Sequence, residues 1–240
     1  MQLSYVLQDF LLFLKKPQPE AEEISASEKV LPVIFLSVFA VAAGVMAGIV
    51  PGLLQKSGLI EPLDLSRMKM LIEKIGVSGL LLLGCVAAPI LEEIFFRWHL
   101  TSSRLSVTFF TLAFVLFVAS YVTPNIPIIN FLLGFFAIIG LIALWLTKDP
   151  TLLHVLESRW RKWYGLVFYL TALVFALYHI TNYNPSARQL AFAPLIVLPQ
   201  LAAALFFGYT RIRYGLPWSM LMHSLYNGVL IGTSIATGGF

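Results

Sequence analysis

Residues 81–97 read LLLGCVAAPILEEIFFR. The apolar run 81–91 passes straight into Glu92, Glu93 and Arg97, and IFFRWHLTSSRL continues without a breaker to about Arg104. The pattern predicts one helix that carries on past the glutamates. Pro89 is expected to kink it one turn before them and to free a backbone carbonyl. An ionised carboxylate is among the costliest groups to place in lipid, and intramembrane carboxylates mark sites. Glu93 and Arg97 are four apart with the acid first, the better order for an intrahelical ion pair. Glu92 is turned by about 100° from Glu93, so one carboxylate can be neutralised while the other points elsewhere.

The surrounding chain has the character that the run implies. Of 240 residues 59% are hydrophobic and only 12% charged, against about 25% charged in soluble domains. Mean hydropathy is +0.85. Spans need about 20 mostly apolar residues, and seven such stretches are predicted: 31–54, 71–91, 106–123, 128–147, 164–182, 190–209 and 217–236. The expected fold is an all-α polytopic transmembrane helix bundle. Ahead of it, Leu3, Val6, Leu7, Phe10, Leu11 and Leu14 recur at helical spacing before Lys15 and Lys16, which predicts a helix in the membrane interface. No basic residues precede its apolar part, unlike a signal peptide. The expected organisation is an interfacial helix and linker over 1–30 and a single bundle domain over 31–240.

The net charge of +4 does not imply nucleic acid, because the basic residues lie between the apolar runs. They serve as topology determinants: eleven Lys and Arg fall on the N-terminal side and five on the other, predicting a cytoplasmic N-terminus. The single cysteine, Cys85, excludes an intrachain disulfide. Ala40, Gly44, Gly48 and Gly52 form a small-residue stripe that suits packing within the bundle, with a homodimer through Gly44 and Gly48 as the other use. Gly84 and Ala88 continue the same step to Glu92 and turn that face towards a neighbouring helix.

Two more polar clusters interrupt the apolar text, FALYH at 175–179 and HSLYN at 223–227. Phe175 and His179 share a face, as do His223 and Asn227. Each cluster has a structural use: an interfacial ion pair, a histidine bonded to its neighbour, an asparagine joining two helices. Together they supply two carboxylates, an arginine, two histidines and an asparagine, the parts of a hydrolytic site. His99 points off the face of Arg97, and His154 belongs to an amphipathic surface helix, so neither is included.

EExxxR, FxxxH and HxxxN, in that order on separate membrane helices, resemble the CPBP family. It comprises the CAAX prenyl proteases of the second type and their bacterial bacteriocin-processing or Abi relatives. The resemblance covers about residues 80–236 and implies an intramembrane endopeptidase. By that resemblance Glu92 is the general base on water and His179 helps to hold it. His223 and Asn227 stabilise the oxyanion, and Glu93 with Arg97 fixes the first motif. Trp98 stands where many members have glycine, and about 106–147 is an insertion of two spans. The implied partner is a peptide or protein at the membrane, which the CAAX reading would have prenylated, and the compact chain fits a bacterial inner membrane. Metal-independent catalysis is expected, with zinc on Glu92, His179 and His223 as the alternative.

At about 1.5 Å per residue, Glu92 lies roughly 18 Å from Arg104, His223 roughly 15 Å from Arg213 and His179 roughly 25 Å from Lys162. The three meet only if the 164–182 span starts outside the lipid or tilts strongly. A non-catalytic scaffold or immunity protein, and a small proton-relay transporter, are the competing classes. The transporter is disfavoured because no inverted repeat is visible.

Overall fold

The computed structural model describes residues 3–104, 106 and 149–238. Apart from Ser106, the expected spans 106–123 and 128–147, and the insertion they form, lie outside the described residues. Every regular element among the described residues is helical.

Helix α1 covers Leu3–Lys15. Its buried face is Val6, Phe10 and Phe13, with Leu7 and Leu14 packed against the same core, whereas Leu11 of the expected stripe is exposed. Phe10 stacks on Phe206, and Phe13 meets Phe168 and Tyr209 edge-on. Asp9 can sit on the protein side because Arg213 and the Tyr209 hydroxyl both bond its carboxylate, at 3.0 and 2.7 Å. The helix is therefore seated on the bundle itself. The following strand of chain is strapped to the same place, with Arg213 donating to the Glu20 carbonyl and Glu22 N–H donating to the Arg213 carbonyl.

Helix α2, Ala26–Ala47, starts at a capping box between Ser25 and Glu28, which satisfies backbone donors that the first turn leaves free. The expected 31–54 span continues through Gly48 into α3, Ile49–Lys56. Ala40 and Gly44 are buried, and a Cβ on Gly44 would collide with the Tyr226 ring and hydroxyl. The small-residue face is thus occupied within one chain. Gly48 lies near Pro199.

Helix α4, Ser66–Leu82, is broken at Gly76, runs into a π-turn over Leu83–Ala87 and resumes as α5, Ala88–Arg97. A 3₁₀ turn, Trp98–Thr101, closes it. The helix does continue past the glutamates as its sequence implies. Helix α6, Pro150–Lys162, is capped by Asp149, and α7 covers Tyr164–Tyr178 with a 3₁₀ turn at His179–Asn182.

The expected 190–209 span is not one helix. It divides into Ala187–Ala191, Ala193–Ile196 and α8, Leu198–Tyr214. Pro194 and Pro199 lack the N–H that a continuous ladder needs, and each sits in the first turn of a new helix. The short turns are fastened to the loop after α3: Gln189 donates to the carbonyls of Glu61 and Pro62, and Ser186 donates to Glu61. The Glu61 backbone N–H and the Ser186 hydroxyl hold that carboxyl below its ordinary range.

Helix α9, Leu216–Ala236, follows α8 directly. Gly215 between them has φ +104° and ψ 166°, a conformation open essentially to glycine alone. Gly215→Ala is expected to cost about 1–3 kcal/mol, read as a lowered thermal midpoint in detergent. Helix α8 is the centre of the bundle, with α2, α7 and α9 packed around it, and α9 also packs on the π-turn and α5.

Three helical stretches are long and apolar enough to cross a membrane: Ala26–Lys56, Met68–Thr101 and Tyr164–Asn182. They match the first, second and fifth expected spans. Helix α9 has the length but falls short in hydropathy, because Ser219, His223, Ser224 and Asn227 interrupt its apolar sequence. The polarity that lowers it is the polarity of the site.

Candidate active site

Among the described residues Glu93 and Arg97 are the most deeply buried charges, with 0% and 2% of their surface exposed. Burying such a pair is tolerable only when the geometry is close and the remaining donors and acceptors are satisfied. Here the i,i+4 spacing brings Arg97 Nη1 to 2.5 Å from Glu93 Oε1. The same oxygen accepts from His223 Nδ1 at 2.9 Å, and the Ser219 hydroxyl donates to Oε2. The guanidinium lies over the rings of Phe175 and Phe207, 4.1 and 5.2 Å from their centroids. Aromatic faces attract a cation where water is excluded. They cover Arg97 where Nη2 has no hydrogen-bond partner among the described residues.

His223 is held as tightly. Its ring stacks on Phe207 at 4.4 Å and 21° and meets Phe175 edge-on. Because a carboxylate only accepts, Nδ1 carries the proton shared with Glu93. Nε2, on the opposite edge of the ring, lies 3.7 Å from Glu92 Oε2.

His179 arrives from another helix in the same state. Its Nδ1 donates to the Phe175 carbonyl one turn back, at 2.8 Å, and its Nε2 lies 3.9 Å from Glu92 Oε2. Glu92 itself, rotated off the Glu93 face, keeps partial exposure, and its buried Oε2 has no hydrogen-bond partner among the described residues. Three polar atoms from α5, α7 and α9 thus converge without bonding one another.

His179 reaches this depth in spite of its longer path. The Tyr164 hydroxyl bonds the Leu100 carbonyl at 2.9 Å, so α5 and α7 meet at two levels. Between those levels α5 with its 3₁₀ turn advances roughly 13 Å, while α7 advances roughly 22 Å. Helix α7 runs obliquely to α5, and the extended Tyr and His side chains take up the rest. Trp160 is buried and donates to Ser106 at 2.8 Å.

Asn227 joins two helices through a backbone carbonyl. In the π-turn the Ala88 N–H bonds the Leu83 carbonyl, and the next donor in that register would be residue 89. That residue is Pro89, which has no N–H, so the Gly84 carbonyl is released. Asn227 Nδ2 donates to it at 2.8 Å. The freed carbonyl expected from Pro89 exists, and Asn227 is its partner. Helix α9 approaches closely enough for this because residue 84 lacks a side chain: a Cβ there would strike Ile231. Asn227→Ala leaves the carbonyl unpaired and is expected to cost about 1–3 kcal/mol of stability, measurable by thermal unfolding.

Sequence reading brought Glu92, Glu93, Arg97, His179 and His223 to one place, and it left out Ser219, Phe207 and Arg211. Ser219 had a signal, since it precedes His223 by the same four residues that separate His223 from Asn227. Phe207 had none, being one aromatic residue in an apolar helix. Arg211 donates to the carbonyls of Arg97 and Trp98 and to the Thr101 hydroxyl, closing the C-terminal end of α5. His99 is buried apart from the site, beside Ser106 and Thr171.

A zinc site on Glu92, His179 and His223 needs three donors closing on one point about 2 Å from each. No group of three His, Cys, Asp or Glu among the described residues is so arranged. As placed, the three donors do not close on such a point.

No curated protein and no solved structure matches this chain. Residues 75–229 do match the Rce1-like family of type II CAAX prenyl endopeptidases. The matched region runs from the kink in α4 to two residues beyond Asn227 and contains every residue of the buried cluster. With more than half of its length in that match and three membrane-crossing helices, the chain is an integral membrane peptide hydrolase that belongs to the Rce1-like type II CAAX prenyl endopeptidase family.

Proposed function

We propose that the chain is a metal-independent intramembrane endopeptidase in which Glu92 activates water against a peptide bond near the cytoplasmic face. One observation carries the reading. Glu92 Oε2 stands 3.9 and 3.7 Å from two imidazole nitrogens, unbonded, while its neighbour Glu93 is fully engaged. Separations of that size between polar groups are those bridged by one water.

Glu92 takes a proton from that water as its oxygen attacks the carbonyl carbon, and the carbonyl electron pair moves onto oxygen. His179 Nε2 accepts from the water and orients it. The oxyanion is met by the second amide hydrogen of Asn227, while His223, its Nδ1 hydrogen held by Glu93, turns Nε2 towards the reacting centre. Glu92 then passes its proton to the amide nitrogen, the C–N bond breaks, and an acid and an amine leave.

The substrate is a peptide at the membrane, carrying a prenyl group in the sense of the family description. The N-terminus is placed in the cytoplasm of a bacterial cell, with α8 and α9 as further spans of a seven-span bundle. The test compares peptides that accumulate in membranes carrying wild-type or Glu92→Ala protein. A peptide cut only by the wild type supports the reading, and identical peptide sets overturn it. Activity of the purified protein is expected to survive chelation, whereas loss restored by zinc would overturn the metal-free mechanism.

A further inference from the structure

We infer that Ser219 is a positioning residue for this site, acting through Glu93 on the imidazole of His223. The inference rests on the reading that Glu92 is the base, and it concerns a residue outside all three motifs.

Ser219 is completely buried in the first turns of α9, one helical turn before His223. Its hydroxyl donates to Glu93 Oε2 and lies 2.9 Å from the Phe207 carbonyl, an oxygen that already belongs to the α8 ladder. Glu93 is consequently held at both oxygens from two directions. Arg97 and His223 bind Oε1, and Ser219 binds Oε2. A carboxylate fixed only at Oε1 could swing about its terminal torsion, which is broad for Glu. Fixing Oε2 removes that freedom and sets the angle at which Oε1 meets Nδ1.

The consequence falls on the opposite side of the imidazole. With Nδ1 pinned to Glu93 and the ring face pinned on Phe207, Nε2 has one place to be, 3.7 Å from Glu92. Supporting hydrogen bonds of this kind decide whether a reacting constellation is held or loose. Phe207 and Ser219 form the two sides of one bracket, since the carbonyl beside the Ser219 hydroxyl is that of the residue whose ring carries His223.

The test compares wild type with Ser219→Ala, Ser219→Thr, Ser219→Cys and Glu92→Gln in detergent micelles. The probe is a quenched fluorescent farnesylated peptide ending in a CaaX sequence. Ser219→Ala is expected to lower kcat about tenfold with KM unchanged, Ser219→Cys to fall between, and Ser219→Thr to recover most of the loss. In parallel, ¹⁵N spectra of labelled histidine, with His223 identified by its loss in His223→Asn, report where the ring proton sits. Wild type is expected to hold it on Nδ1 alone, and Ser219→Ala to show a mixture with Nε2. An unchanged His223 signal together with unchanged kcat overturns the inference. Should Ser219→Ala fail to fold, Ser219→Cys decides it by the same two readouts. If the peptide is not a substrate, the spectra alone decide. Full activity of Glu92→Gln overturns the mechanism itself, and the His223 spectra judge the Ser219 contact separately.

Discussion

Glu92→Gln is expected to reduce kcat on the order of a hundred- to ten-thousand-fold, the range over which a positioned general base contributes. Its thermal midpoint in detergent should stay where it was. The two outcomes belong together. Glu92 Oε2 takes part in no hydrogen bond among the described residues, so removing its charge breaks nothing that holds the helices. The glutamine amide fills the same space beside the Nε2 atoms of His179 and His223. A purified Glu92→Gln protein that cleaves at the wild-type rate rules out Glu92 as base.

Arg97→Met is expected to produce the largest loss of stability, about 3–5 kcal/mol, the cost of leaving a buried charge without its partner. Glu93 would keep donors from His223 and Ser219 but lose its neutralising cation in a place where water does not reach. Methionine retains the apolar length between Phe175 and Phe207, so little of the loss is packing. The double variant Glu93→Gln with Arg97→Met removes both charges and should recover much of the midpoint while remaining poorly active, because His223 has lost its orienting carboxylate. Thermal unfolding of the two variants beside wild type checks this. A single variant as stable as the wild type would show that Glu93 is not ionised in the folded protein.

The Glu93–Arg97 pair was legible from spacing alone, since residues four apart on a helix face one another whatever surrounds them. The continuation past Leu91 was equally local. What lay beyond the text was set by contacts between helices. The stretch 190–209 is divided rather than one helix because Pro194 and Pro199 were counted as apolar length, although each lacks the hydrogen that carries a helix through it. The stripe through Gly44 correctly announced a close approach, and only the fold identifies the neighbour as Tyr226. Asn227 was given to the oxyanion by the resemblance, and its bond to the carbonyl freed at the π-turn before α5 depends on a contact between segments far apart in the chain. Ser219 acts across α5 and α9, and its role depends on a short distance that no local pattern encodes. The depth of His179 depended in the same way on the slant of α7.

The arginine between two phenylalanines has a consequence for anyone who would move this chemistry to another scaffold. Phe175 is spelled as part of the histidine motif, but its ring covers the cation of the glutamate motif. His223 belongs to the third motif and closes on the carboxylate of the first. Each motif is therefore completed by a residue written in another, like three keys cut for one another's locks. A single helix grafted from this protein would carry the letters of its motif and none of its function. The smallest transplantable unit is α5, α7, α8 and α9 together.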